Sequence, residues 1–359
     1  MAKQQAVPRK KQTRTAARAP RTAPQRAPTP ERLLQLGFGF WGPRALLSAV
    51  ELGVFTALGK GPLDEAQLRG QLGLSARSSR DFFDALVALG LLDRRAGRYR
   101  NTPDVAAFLD RSKPAYVGGI LEMAAARLYP FWGSLTAALR TGLPQNEAQS
   151  GGDMFTTLYA DPERLRGFLS AMTGLSMGAA RALARRVPWK KYRSFIDIGG
   201  AQGCASVQLA LAHPHLQGGE FDLTPVGPIF EDYVRSFGLD ARLKFHAGDF
   251  FRDPLPQAEV LIMGHILHDW NLQEKHLLLQ KAYAALPRHG VLVVYDGMID
   301  DARSRNAAGL LMSLNMLIET KGGFDYTPAD CRGWMKATGF RSTAVVALTA
   351  AETMVIATK

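Results

Sequence analysis

Residues Ser194–Gly203 read SFIDIGGAQG. A short apolar run, Phe195, Ile196 and Ile198, encloses Asp197 and then gives way to Gly199, Gly200 and Gly203. The pattern predicts a buried parallel strand running into a glycine-rich turn and a helix. Glycine accepts positive φ and lets a ligand come close to the backbone. The helix after the turn offers free N–H groups and the positive end of its dipole. Taken alone, such a turn serves a dinucleotide, another nucleoside or a plain corner.

Regularly spaced segments downstream of Gly203 narrow the choice. Strands are expected at 194–198, 218–223, 243–250, 259–267 and 290–298, with helical segments such as NLQEKHLLLQKAYAAL between them. Parallel strands covered on both faces read as near-continuous apolar runs, and most of these do. The prediction is a doubly wound α/β domain with its site at the carboxyl ends of the strands. The last stretch, RSTAVVALTAAETMVIATK, predicts a hairpin added at the sheet edge.

Acids end or closely succeed the first three strands: Asp197, Asp222 and Asp249. Asp222 comes 19 residues after Gly203, the place from which a carboxylate reaches ribose hydroxyls. Asp249 has Phe250 and Phe251 beside it, so an adenine amino group and ring could be met together. A pyrophosphate ligand would need phosphate recognition. The G-x-G-x-x-G spacing is absent, however, and no Lys or Arg falls between Ser194 and Val234. A nucleoside without phosphates fits better, and S-adenosylmethionine is the candidate.

The fourth strand ends in GHILHDW, which puts His268 at the mouth of the site. Histidine titrates nearest neutrality. Asp296 closes the fifth strand and Asp325 lies in KGGFDYT, so two carboxylates are available to it. An acid on one ring nitrogen fixes the tautomer and raises basicity at the other. That pair would make a general base for a substrate hydroxyl or phenol. Asp269 and Trp270 are expected to cap and anchor the next helix. Neither the two cysteines, Cys204 and Cys331, nor the histidines form a metal-ligand set, and no metal is expected.

The chain of 359 residues carries a net charge of +12. Eight of these charges lie in residues 1–30, which contain no acid, leaving +4 for the rest. The tail is rich in Pro, Ala, Gln and Thr and reads as disordered and solvated. It lacks the apolar core of a secretory signal, no apolar run spans a bilayer, and the expected location is a reducing cytoplasm. Residues 31–150 are mostly helical. ERLLQLGFGFWGPRALLSAVELGVFTALG holds two apolar-periodic segments broken near Gly42-Pro43. A serine-capped helix in ARSSRDFFDALVALGLL precedes a hairpin in RRAGRYRNT, a winged-helix pattern. Its functional reading is DNA binding, but Asp81 and Asp84 make the would-be recognition helix acidic, so packing or dimerisation is favoured over a nucleic-acid partner. Residues 115–190 continue as helices. Tyr129, Phe131 and Trp132 form an aromatic cluster that is either core or a wall for a flat substrate.

The chain resembles S-adenosylmethionine-dependent O-methyltransferases of the plant caffeic-acid type, and more closely their bacterial natural-product relatives. The resemblance covers about residues 32–359 and rests on DIGGAQG, EFDL, AGDFF, LHDW and GGFDYTPAD, in that order. It implies a Rossmann-like catalytic domain at 191–359, linking helices at 151–190 and a winged-helix-like dimerisation domain at 31–150. It further implies a homodimer in which one subunit's N-terminal helices help close the other's pocket. By motif position it places Gly199 and Gly200 along the methionine part of the cofactor, Asp222 with Leu223 on the ribose, and Asp249 with Phe250 at the adenine. Met172 and Ser176 match a helix that caps the cofactor. His268 matches the base, with Asp296 and Asp325 as its acidic supporters where plant members have glutamates. Met312, Asn315 and Met316 match the substrate-facing helix. Gly264 stands where plant members place a cofactor-touching lysine. Transfer to carbon or nitrogen, and non-methylating hydroxylation or decarboxylation, remain open alternatives.

Overall fold

The computed structural model describes residues 28–113, 115–147 and 159–359. Most of the basic tail, and those parts of the expected helices that fall at 148–158, lie outside the described residues. The chain divides into two compact units, up to Trp41 and from Gly42 onward. The first holds the helix Glu31–Gly37, which leaves Leu33, Leu34 and Leu36 exposed, and the rings of Phe38, Phe40 and Trp41. The expected break at Gly42-Pro43 falls earlier, at Phe38–Phe40. Pro43 sits in the first turn of the helix Trp41–Glu51, where its missing N–H has no intrahelical partner to lose.

Beyond that helix the second unit continues with helices Val54–Leu58, Glu65–Leu72 and Ser79–Ala88, after which comes the expected hairpin. A short strand β1 (Leu63–Asp64) and strands β2 (Leu92–Arg95) and β3 (Arg98–Asn101) form a three-stranded wing in the order β1-β3-β2. Ala96 and Gly97 both have positive φ, 47° and 75°, as a tight two-residue hairpin turn requires. Phe55, Leu68, Phe83, Leu86 and Tyr99 fill the core beneath it. Two details differ from expectation. Ser78 makes no capping bond, and Ser79 instead donates to Glu65. Asp84 turns inward to accept from the Tyr99 hydroxyl at 2.7 Å and from Arg94, and the Tyr99 bond leads in lowering its pKa. The acidic side of the would-be recognition helix is thus spent on the wing.

The main sheet contains β4 (Ser194–Ile198), β5 (Gln217–Asp222), β6 (Leu243–Ala247), β7 (Val260–Gly264), β8 (Val291–Asp296), β9 (Ser342–Ala347) and β10 (Thr353–Thr358). The order is β6-β5-β4-β7-β8-β10-β9. Strands β4 to β8 are parallel and the terminal hairpin is antiparallel, with β10 beside β8 and β9 outermost. Side chains alternate between two cores, one around Trp189, Phe195, Ile262 and Val293, the other around Ile196, Leu261, Leu279 and Val294. Strand order reverses between β4 and β7, and that reversal opens a crevice at the carboxyl ends. The strands end one to three residues earlier than expected, at Asp222, Ala247, Gly264 and Asp296. Leu223, Asp249 and Phe250 therefore stand in loops above the sheet, and His268 sits in the short 3-10 turn Leu267–Asp269 beyond the end of β7.

Candidate active site

The glycine turn rests on buried acids. Gly199 has φ 71°, and a Cβ there would lie 2.5 Å from Ile266 Cδ1. A Cβ at Gly200 would lie 2.3 Å from Asp197 Oδ2 and 2.5 Å from Glu220 Oε2. Asp197 and Glu220 are register partners on β4 and β5, and both are buried. Gly200 N–H donates to Glu220 Oε1, while Oε2 has no hydrogen-bond partner. Burial, then Asp197 and Asp222, hold Glu220 well above the usual carboxyl range, and burial pushes Asp197 and Asp222 up to about 7. Asp197 is therefore part of the floor beneath the turn, not of the rim.

Asp222 accepts from Ala201 N–H at 3.2 Å and Leu223 N–H at 2.7 Å, which locks the end of β5 to the glycine turn. Asp249 accepts from Phe251 N–H at 2.8 Å. Phe250 and Phe251 stand edge-on to Trp270, with centroids 5.7 and 4.6 Å away. Trp270 is an anchor, as expected. Met172 and Ser176 lie on the long helix Pro162–Arg186, which runs along the helix Cys204–Ala212 that succeeds the glycine turn. Thr173, between them, has its carbonyl 3.8 Å from Cys204 Sγ. The residues present fit an adenosyl cofactor: an acid ends β5, an acid and a ring come after β6, and a buried carboxyl oxygen of Glu220 without a hydrogen-bond partner lies under the turn.

His268 is buried, with Nδ1 3.4 Å from Asp325 Oδ1 and Nε2 3.5 Å from Asp269 Oδ1. Burial opposes its charge, but Asp269, Asp296 and Asp325 outweigh burial and raise it to about 10. Asp269 is thus a neighbour of the imidazole and not a helix cap. The cap of Leu272–Ala285 is Asn271, in a capping box with Glu274. Asp296 is placed differently from Asp325: its Oδ2 accepts from the Tyr326 hydroxyl, and its Oδ1 lies 3.9 Å from His265 Nδ1. Nothing local in the sequence marks His265 as a neighbour of the base. It holds a left-handed φ of 57°, uncommon outside glycine, and its Nε2 lies 3.0 Å from Glu352 Oε1 on the strap before β10. Ligating atoms of His265, His268 and Asp296 fall within 4.8 Å of one another. Among the described residues this three-residue grouping is one that the sequence pattern does not announce. At Gly264, the Tyr295 ring occupies the space a side chain would take, with Cζ 2.1 Å from a Cβ position.

Two motifs are pressed together here. A Cβ on Gly323 would lie 2.6 Å from the His268 carbonyl oxygen and 2.7 Å from that of Asp269. The helix Ala307–Glu319 braces the same loop, since Ser313 Oγ accepts from Asp325 N–H at 3.1 Å. This helix carries Met312, Asn315 and Met316, the last of them buried. Asn315 Oδ1 accepts from the Trp132 indole at 2.8 Å. The aromatic cluster is divided: Trp132 meets Asn315, Tyr129 lies under the Arg44 guanidinium, and Phe131 lies under that of Arg127. Arg127 comes from a π-helical turn, Ala124–Leu128, and bridges Glu147 and Glu319 at 2.7 and 3.1 Å.

Fold, glycine turn and acid-flanked imidazole together define an S-adenosylmethionine-dependent methyltransferase. Residues 132–341 match the O-methyltransferase domain family and residues 34–111 the O-methyltransferase dimerisation domain. The chain is 45% identical, over 92% of its length and 97% of the relative's, to the tetracenomycin polyketide synthesis 8-O-methyl transferase TcmO of Streptomyces glaucescens. It is 40% identical, over 86% and 90%, to the N,N-dimethyltransferase OxyT of Streptomyces rimosus. Human N-acetylserotonin methyltransferase, solved with S-adenosylmethionine, superposes with a TM-score of 0.85 at 27% identity, covering 94% of this chain and 99% of that one. The chain belongs to the O-methyltransferase family.

Proposed function

We propose that the chain methylates a phenol-type hydroxyl of an aromatic, polyketide-like small molecule, with His268 as general base. The observation that carries this is the buried His268–Asp325 pair, with His268 two residues along from Ile266, whose side chain abuts Gly199 of the glycine turn. When bound, S-adenosylmethionine supplies an activated methyl group. Gly199 and Gly200 lie along its methionine part, Asp222 and Leu223 hold the ribose, and Asp249 and Phe250 the adenine. Met172 and Ser176 cover it from the long helix. His268 takes the hydroxyl proton at Nε2, Asp325 keeps the proton on Nδ1, and Asp269 and Asp296 stabilise the imidazolium. General-base help contributes about 10²–10⁴-fold, and alignment of the reacting atoms supplies much of the rest. Trp132, Met312, Asn315 and Met316 face the acceptor, with Tyr129 and Phe131 completing that side.

In this reading residues 31–150 serve dimerisation, 151–190 link and 191–359 catalyse. The enzyme acts as a homodimer in the cytoplasm, and the matching dimerisation domain and the exposed Leu33, Leu34 and Leu36 support the dimer. A second reading, transfer to an amine, is motivated by the likeness to OxyT. Incubation with labelled cofactor and a panel of aromatic hydroxyls and amines separates the two. O-methyl products with S-adenosylhomocysteine support the hydroxyl reading, and methylated amines alone overturn it. Full turnover by His268→Ala on every accepted substrate would remove the base.

A further inference from the structure

Lys275 lies in the first turn of the helix Leu272–Ala285 and is fully buried. Its placement carries two costs: an ammonium leaves water, and it sits near the positive end of a helix. Its surroundings account for it. Nζ donates to the Trp270 carbonyl, lies 3.6 Å from the Phe324 ring centroid and 5.7 Å from that of Tyr326. Burial lowers it to about 8, and the charges of Asp296, Asp325, Asp269 and Glu274 pull the other way.

These contacts share a geometry. Phe324 and Tyr326 flank Asp325, whose own carboxyl reaches His268 instead. Trp270 comes two positions after His268 and forms the wall behind Phe250 and Phe251. One ammonium grips both the segment that carries the imidazole and the segment that carries its acid. We propose that Lys275 is a positioning residue, tying the His268 segment to the Asp325 segment through the Trp270 carbonyl and the rings of Phe324 and Tyr326, and acting as counter-charge to the carboxylates around the base. The inference rests on the reading of His268 as that base.

Lys275→Met tests it, because an apolar side chain of similar length commonly replaces a buried ion without loss of fold. Lys275→Gln, which keeps a donor for Trp270 without the charge, serves if the first variant does not fold. The expected result is a fall in kcat of about tenfold or more, since small displacements at a reacting centre are costly, with cofactor Kd within about twofold of the parent. In ligand-free protein, NMR of the His268 ring should show its titration moved to higher pH, because a cation that opposed its proton is gone. Unchanged kcat together with an unshifted His268 titration overturns the proposal. His268→Gln runs alongside: if it is inactive while Lys275→Met behaves as the parent, only the Lys275 role falls. If His268→Gln turns over normally, the base falls and the Lys275 role with it.

Discussion

The Nδ1 atom of His268 lies 3.4 Å from Asp325 Oδ1, although the two residues come from separate segments after β7 and before the helix Pro328–Thr338. The pairing holds because Gly323 lets one backbone rest on the other and Ser313 accepts the Asp325 N–H.

His268→Gln should lower kcat by about 10²–10⁴-fold and leave cofactor affinity, read by calorimetry, close to the parent value. Asp325→Asn should cost less, because the imidazole stays in place and loses only its preferred tautomer. Equal losses in both variants would show that the acid does more than orient the ring.

Gly323→Ala pushes a methyl group against two carbonyl oxygens and Thr320 Oγ1. Overpacking of this kind costs about 1–3 kcal/mol. Thermal melts should show the loss of stability, and kcat should fall by more than the loss of folded protein explains, since the His268 backbone must move.

The high proton affinity of His268, raised to about 10, has two consequences of definite sign. A folded value above the unfolded one gives stability that is full below the unfolded value near 6.5 and is lost as pH rises through about 10. The melting temperature should therefore decline across the alkaline range, and less steeply in His268→Gln. A cation bound in the adjoining crevice favours the neutral ring. Calorimetry in buffers of different ionisation heat should accordingly show proton release when S-adenosylmethionine binds above neutral pH, less with S-adenosylhomocysteine, and no such difference in His268→Gln.

Trp132→Phe removes the 2.8 Å bond to Asn315. A hydrogen bond of this type is worth about 0.5–1.5 kcal/mol. If this pair faces the acceptor, acceptor KM should rise several-fold while cofactor Kd stays put. A change in cofactor affinity instead would place the pair on the other side of the cleft.

Local chemistry is readable from the residues where periodicity and spacing are short-range. SFIDIGGAQG specifies a strand and turn, RRAGRYRNT a hairpin, and GHILHDW a histidine at a strand mouth. Cross-strand register is not readable. Glu220 looks like one polar residue in a strand until β5 aligns it with Asp197 beneath Gly200. Asp269 reads as a cap because it precedes a helix, but Asn271 has the geometry for that bond. Nothing in NLQEKHLLLQKAYAAL marks Lys275 as buried, and Phe324 and Tyr326 come to it from a distant loop. His265 and Glu352 meet because β10 inserts beside β8, a neighbour relation that no local window contains.

The Tyr295 ring at Gly264 limits how this scaffold can be re-engineered. Grafting a lysine into this position would collide with an aromatic side chain that is itself buried, so the change must trim that tyrosine in the same step. Chimeras assembled motif by motif would miss this dependency, and libraries that vary the two positions jointly are the route to functional hybrids.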